Sequence, residues 1–519
     1  MAHIVLINPR FEGSYWGLEK ALPLFGKRAN LPVAGLPLLS ALTPAEHTVT
    51  LLDENVAPLD FDRIARADIV GVTGMIVQRF RMRAILEELK SRGAFVVVGG
   101  PWVTVKEDYF GDLADCIFVG EAEESWPEFL GDWLQGRPRP RYEQRDKTDM
   151  TRVPCPKYDG LDLSQYMFGS LQISRGCPFQ CEFCDIIVTF GRRPRLKTSP
   201  QVIAELEELR RLKMELVFIV DDNLIGNRRA IAPVLRDIAQ WQAANGYPFA
   251  FFTEASIDLA DDPELMELMT SANIQTVFIG VESPNPDSLE ETRKFQNLRP
   301  GGMVEKIHRV QDAGMEAWIG MIVGFDHDDE RIFDLQDKFI RESRVVHASV
   351  GMLSAIPKTP LYDRLLAEGR LDTDDRPEFG TNVIPSRLSR EALRDGYIGL
   401  MRKLNDVDAY FDRADSLYHR PTFRFNRAVT AYWRKHPWAW FKAQTWFLVR
   451  SAVLYRRLMR GVRDESLRSE YRRRLAGIWK RRREPSSLFI YLLKCAAHYH
   501  YQSMTRDLAP ADVGLVNTF

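Results

Sequence analysis

The sequence has no uninterrupted apolar run of about 18 residues, the length a spanning helix needs. The nearest stretch, Trp438 to Tyr455, is broken by Lys442 and Arg450. The N-terminal MAHIVLINPR has no basic segment followed by an apolar core, so no secretory signal is expected. Cysteine is scarce, six in 519 residues, and forms no disulfide framework of the kind secreted chains carry. Net charge is almost absent: 70 Lys and Arg stand against 71 Asp and Glu, a formal charge of -1. The chain-wide average therefore argues against a nucleic-acid binder. No internal repeat of 20–50 residues is visible, which argues against a solenoid or propeller. These absences together predict a cytoplasmic protein.

What is present is globular: 45% hydrophobic and 27% charged residues. The length suggests about three domains. The neutral average hides an asymmetry, because Pro421 to Arg506 carries 20 Lys and Arg against 4 Asp and Glu.

The first 130 residues alternate short Val/Ile-rich runs with helical patterns: Ile4–Asn8, Val49–Asp53, Ile69–Gly74, Phe95–Gly100 and Cys116–Gly120. Near-continuous apolar runs are strands buried on both faces, and alternation with helices implies a parallel, doubly wound α/β sheet of five strands. Ligands of such sheets sit at the carboxyl ends of the strands. Those ends carry Asn8, Asp53, Asn55, Val56, Thr73, Gly74, Gly99, Gly100, Pro101, Gly120 and Glu121. Residues 1–135 form this first domain, and an Arg/Pro/Asp-rich linker is expected over 136–166. A second βα series has strands near 171–174, 216–220, 249–254, 276–281, 317–323 and 348–355. Six units fit a partial (β/α)6 barrel over 167–370. Residues 371–519 read as a basic helical domain.

The segment Ser174-Arg-Gly-Cys177-Pro-Phe-Gln-Cys181-Glu-Phe-Cys184 follows the first strand of that barrel. Three thiolates at spacings of four and three can hold three irons of a cubane cluster and leave the fourth for an external ligand. The alternatives are a zinc knuckle or three unrelated buried cysteines. Zinc normally takes a fourth protein ligand nearby, and no His or Cys follows closely.

C-x3-C-x2-C after the first strand of a six-unit barrel, with Phe183 before the third cysteine, resembles the radical S-adenosylmethionine (SAM) superfamily. The resemblance implies a [4Fe-4S] cluster on Cys177, Cys181 and Cys184. It also implies SAM bound at the open iron and reductive cleavage to a 5′-deoxyadenosyl radical. By the same resemblance, Asp221, Asp222 and Asn223 stand where the methionine amine is held, in place of the superfamily's commoner Gly-Gly-Glu. Glu254 and Ser256 end the third strand, Glu282 and Ser283 the fourth at the ribose position, and Gly320, Ile322 and Gly324 the fifth beside adenine.

A doubly wound domain ahead of such a barrel resembles the B12-binding domain of the cobalamin-dependent, class B members. Gly99-Gly100-Pro101 and Gly120-Glu121-Ala-Glu123 fit that subgroup. Other B12 domains supply a histidine in Asp-x-His-x-x-Gly; the equivalent turn here, Asp53-Glu-Asn55-Val56-Ala-Pro58, has none. The resemblance implies cobalamin without a protein histidine on cobalt. A domain that holds no cobalamin is the bland alternative. Trp102 either covers the corrin or is an ordinary core residue.

Tryptophans, phenylalanines and arginines interleave in the C-terminal region. That pattern suits an anionic membrane surface, nucleic acid (the least favoured), or a solvated face packed on the acidic remainder. Such a tail resembles the extension of a class B subgroup that includes the hopanoid C-2 methylases. The expected function is cobalamin-dependent methylation of an unactivated carbon, with a hopanoid-like lipid as substrate and a flavodoxin or ferredoxin as reductant. Radical coupling, cyclisation or rearrangement without methyl transfer is the alternative. Tyr362, Tyr397 and Tyr410 read as ordinary core or surface tyrosines.

Overall fold

The computed structural model describes residues 1–508; the last part of the 371–519 helical expectation, residues 509–519, lies outside it. The chain divides into two units: residues 1–13, 31–234 and 355–369, and residues 14–30, 235–354 and 370 onward.

In the first unit β1 (His3–Asn8), β2 (Thr48–Asp53), β3 (Ile69–Thr73), β4 (Val96–Gly99), β5 (Cys116–Val119) and β6 (Arg141–Glu143) form one parallel sheet. Its order is β2-β1-β3-β4-β5-β6. The sheet has six strands rather than the expected five. The sixth comes from within the 136–166 stretch, where Tyr142 alone is buried between exposed Arg141 and Glu143. Three residues are too few for a periodicity signal. The apolar strands are buried on both faces because helices cover both. The helix Arg79–Ser91 presents Met82, Ile85, Leu86 and Leu89, spaced at i, i+3, i+4 and i+7, to one side. The helix Ser125–Leu134 presents Trp126, Phe129 and Leu130 to the other. At about 1.5–3 kcal/mol per buried side chain this packing dominates the domain's stability.

The order reverses direction between β1 and β3, so the crevice such folds use for ligands opens at Asn8 and Thr73-Gly74. Gly100 is required there. Its φ is +95°, and a Cβ would lie 2.3 Å from Thr73 Oγ1.

The same unit continues with β7 (Gly169–Leu171), the short ribbon β8 (Ser174–Arg175) and β9 (Arg195–Leu196), and β10 (Leu216–Ile219), which pairs with β7 in parallel. The helix Ser199–Arg211 precedes β10 and is started by a capping box between Thr198 and Gln201. The second unit holds β11 (Ala250–Glu254), β12 (Ile274–Glu282), β13 (Glu316–Val323) and β14 (Ala348–Met352), paired in parallel in that sequence. All six strands of the expected barrel are therefore present. The first lies earlier than expected, at 169–171 rather than 171–174, because the chain leaves β7 at Leu171 and spends Ser174 on the ribbon.

The C-terminal region is helical: Arg390–Leu404, Val407–Tyr418, Arg427–Lys435, Pro437–Gly461, Glu465–Arg482 and Pro485–Asp507. Aspartates and a serine cap several starts, as Ser389 does for Ala392 N and Asp464 for Leu467 N.

Candidate active site

The cysteine loop leaves β8 and returns through β9, so an antiparallel ribbon closes its neck, with Arg175 opposite Arg195. Gly176 turns the chain at φ +95°. A Cβ there would sit 2.9 Å from Gly191 O and 3.0 Å from Arg193 O, so no other residue fits. Cys177 N donates to Gly191 O at 3.2 Å, and Cys184 N to Cys181 O at 3.2 Å. Cys181 is buried and the other two are half-buried. Burial pushes the Cys184 thiol up, with Asp185, Cys181 and Cys177 adding to the rise. A thiol in this setting gains a charge stably only against a cation. Among the described residues no three His, Cys, Asp or Glu side chains converge as on a single ion. Ligands that each take a different iron of a cubane have no need to converge in that way. Phe183 is half-buried between Glu182 and Cys184. Glu182 pairs with Arg364 at 2.8 Å, a contact between residues 182 positions apart that the sequence does not announce.

The Asp-Asp-Asn triplet after β10 divides its work. Asp221 is fully buried and accepts from Ile173 N (2.7 Å), Ser174 N (2.8 Å) and Ser174 Oγ (2.6 Å). Burial raises it to about 6 against those bonds. Asp222 accepts from Gly176 N at 2.8 Å and is raised by burial to about 7. Asn223 donates to Cys177 Sγ at 3.8 Å. Asp221 thus holds the loop's neck with both oxygens, which leaves Asp222 and Asn223 as the residues of the triplet beside the first cysteine.

In the second unit, Glu254 ends β11 half-buried, and Ser256 donates to Asp258 at 2.5 Å. Glu282 ends β12 at φ +64°, where the ladder register shifts after Gly280. A bulge with a non-glycine residue in the left-handed region is stored strain that aims a side chain. The Glu282 carboxylate is buried and paired with Lys294 at 2.7 Å. Ser283 is fully buried and accepts from Asn285 N. Gly320 pairs with Gly280 and Ser349 in β13, and Gln336 Nε2 donates to Ile322 O at 2.7 Å. Gly324, at φ +102°, donates its N–H to Asp328, itself raised by burial to about 6.

At the carboxyl edge of the first sheet, Asn8 is buried with Oδ1 accepting from Gln78 and Nδ2 unpartnered. Asp53 accepts from Asn55 N and Tyr166 Oη. Asn55 accepts from Phe11 N. Val56, Thr73, Gly99, Gly100, Pro101 and Gly120 are half-buried along this edge, and Gly74 is buried. Half-buried glycine backbone and one unsatisfied amide suit a large flat ligand. The domain's histidines lie at the opposite end: His3 opens β1 and contacts Thr50, and His47 contacts Ala2 N. Trp102 is a core residue, edge-on to Tyr109 at 5.1 Å within the apolar cluster under the sheet. Glu121 is wholly engaged by Arg175, Arg195 and Thr148 N, partners that sequence reasoning did not foresee.

A parallel barrel with a three-cysteine loop after its first strand, attached to a doubly wound ligand-binding sheet, defines a radical enzyme with a second cofactor domain. The family descriptions agree. Residues 171–339 match the Radical SAM superfamily, residues 28–130 the B12 binding domain, and residues 359–511 a domain of unknown function. The chain is 38% identical over 415 residues to an uncharacterized methyltransferase of Synechocystis, covering 79% of this chain and 77% of that one. It is 36% identical over 387 residues to the hopanoid C-2 methylase of Rhodopseudomonas palustris, covering 73% of each. The cobalamin-dependent SAM radical enzyme OxsB shares the fold, with a TM-score of 0.61 at 15% identity over 85% of this chain and 76% of that one. The chain belongs to the cobalamin-binding radical SAM enzymes, in the subgroup with a helical C-terminal extension that includes the hopanoid C-2 methylases. It is a cobalamin-dependent radical SAM methyltransferase whose cofactors are a [4Fe-4S] cluster, SAM and cobalamin.

Proposed function

We propose that this enzyme methylates an unactivated carbon of a polycyclic lipid, with C-2 of a hopanoid the first candidate. The observation that carries the reading is the 36% identity to a hopanoid C-2 methylase across 73% of both chains. When bound, the cluster with SAM supplies a hydrogen-abstracting radical and cobalamin supplies the methyl group.

The chain's own residues then have these tasks. Cys177, Cys181 and Cys184 hold three irons. Asp221 fixes the loop's neck, and Asp222 and Asn223 meet the methionine end of SAM. Glu254, Ser256, Glu282, Ser283 and the backbone of Gly320, Ile322 and Gly324 hold its ribose and adenine, with Glu282 pre-aimed by its bulge. The carboxyl edge from Asn8 to Gly120 would carry the corrin, largely through backbone. A low-potential cluster calls for a reducing compartment and a one-electron donor, which supports a cytoplasmic enzyme served by flavodoxin or ferredoxin.

A lipid substrate must be reached at a membrane, and the helix Pro437–Gly461 supports that. Its buried side is Ser451, Leu454 and Leu458. On the far side Trp438 (84% exposed), Phe441, Leu448 and Val449 (59%) lie within about 100° of one another. Lys442 and Arg460 border this arc on one side, and Arg456 lies within it. No helix among the described residues is long and apolar enough to cross a membrane. An apolar stripe bordered by cations suits lying flat on an anionic bilayer. By contrast, Arg474 is spent on Asp408, Asp415 and Glu470 at 2.6–2.9 Å, so part of the basic tail neutralises its own fold.

The test is reconstituted, reduced enzyme with SAM carrying a labelled methyl and a pentacyclic hopanoid. A product heavier by one CH2 supports the reading. A product lighter by hydrogens, or label absent from every lipid offered, would overturn it.

A further inference from the structure

Glu121 follows the last glycine at the cobalamin-domain edge, yet its side chain is only 1% exposed and faces the cysteine loop. Oε1 accepts from Arg175 Nη1 at 2.8 Å and from Arg195 at 3.1 Å. Oε2 accepts from Thr148 N at 2.9 Å and from Arg195 at 3.1 Å. Glu123, from the same turn, takes Arg175 at 2.6 Å. A carboxylate with four short donors has no capacity left for a ligand. Arg175 and Arg195 are opposite one another across the ribbon that closes the loop, and Arg175 stands two residues before Cys177. Arg195 also donates to Thr148 O at 2.5 Å and Phe190 O at 3.0 Å, so one guanidinium ties Glu121, the segment before β7 and the far side of the loop. Lys147 adds a bond to Thr189 O at 2.5 Å, and Val188 packs on the apolar cluster beneath the sheet.

We propose that Glu121 is a positioning residue, not a corrin contact: with Arg175 and Arg195 it sets the cluster-bearing loop against the cobalamin-bearing edge. A buried charge pair holds two elements in one arrangement because any other leaves a charge without water or partner. The distance between the two cofactors is then fixed by this four-charge knot. This rests on the cofactor assignment alone and needs no substrate, so failure of the lipid reading leaves it standing.

The test uses full-length enzyme reconstituted with iron, sulfide and hydroxocobalamin, then chemically reduced. Electron spin relaxation of cob(II)alamin reports the distance to the paramagnetic cluster. Wild type should give one enhanced rate. Glu121→Gln should retain about four irons and one cobalt but relax about twofold or more slowly, with a spread of rates, as expected when a supporting contact is loosened by about an ångström. Glu121→Asp, which keeps the charge, should recover part of the rate. Full loading with an unchanged rate would overturn the proposal. So would loss of cobalt alone, the result a corrin contact would give. Should Glu121→Gln fail to load, Arg195→Lys reads the same quantity with the Arg175 pair intact, and an unchanged rate there also overturns it.

Discussion

Lys494, on the last helix, holds both carboxylate oxygens of Glu316, the first residue of β13, at 2.7 Å each. Tyr418 donates to the same carboxylate at 2.8 Å, and Lys494 also reaches His347 Nε2 at 3.0 Å. All four side chains are buried. Burial drives the Lys494 ammonium down from its ordinary value, against the pull of Glu316. The C-terminal extension is thereby locked to a barrel strand by charge as well as by packing.

Removing one partner of a buried pair leaves the other charged without water. Lys494→Met should therefore destabilise the protein by about 3–5 kcal/mol, while Lys494→Met with Glu316→Leu should recover most of that loss. Denaturant unfolding of the three proteins checks it. Equal stability of the single variant and wild type would show that the pair is not formed.

Asp221 accepts three hydrogen bonds at the neck of the cysteine loop. Asn in its place would turn an amide N–H2 toward backbone donors and lose bonds worth about 1.5–3 kcal/mol each. Asp221→Asn should lower iron per chain after reconstitution and abolish SAM cleavage. Cys181→Ala should abolish SAM cleavage while leaving the circular dichroism spectrum unchanged. Cleavage by Cys181→Ala would remove the cluster assignment.

His500 is buried with Nδ1 accepting from Lys20 N and Nε2 donating to Ser14 O and Tyr15 O, an arrangement that needs the neutral ring. Burial lowers it to about 4, and His498 to about 3. Because the unfolded chain binds these protons near 6.5, stability is full above that pH. It is lost as pH falls toward the folded values, by about 1.4 kcal/mol per unit for each ring. His500→Gln should flatten the fall in melting temperature between pH 6.5 and 5. An identical slope in both proteins would refute the assignment.

Trp438 and Phe441 make few contacts with their own chain, so replacing them should cost little stability. Trp438→Ala with Phe441→Ala should leave the melting temperature within about 2 °C of wild type. It should reduce co-sedimentation with phosphatidylglycerol vesicles several-fold, and added salt should weaken the wild-type binding. Equal binding by both proteins would place the membrane contact elsewhere.

Continuous Val/Ile runs and the C-x3-C-x2-C spacing are local signals, so the sequence alone determined the two parallel sheets, the cysteine loop and the helical tail. β6 was hidden because three residues carry no period. A tryptophan after a glycine turn looks the same on a ligand and in a core; the folded chain buries Trp102 edge-on to Tyr109 with its indole N–H unpartnered. Glu121 and Asp221 stand at strand ends where ligands are expected, and only the folded chain shows their oxygens filled by Arg175, Arg195, Thr148, Ile173 and Ser174. Periodicity reports which face of an element meets the core. Which charge meets which, across 54 residues for Glu121 and Arg175, depends on how the loops return, and only tertiary structure specifies that.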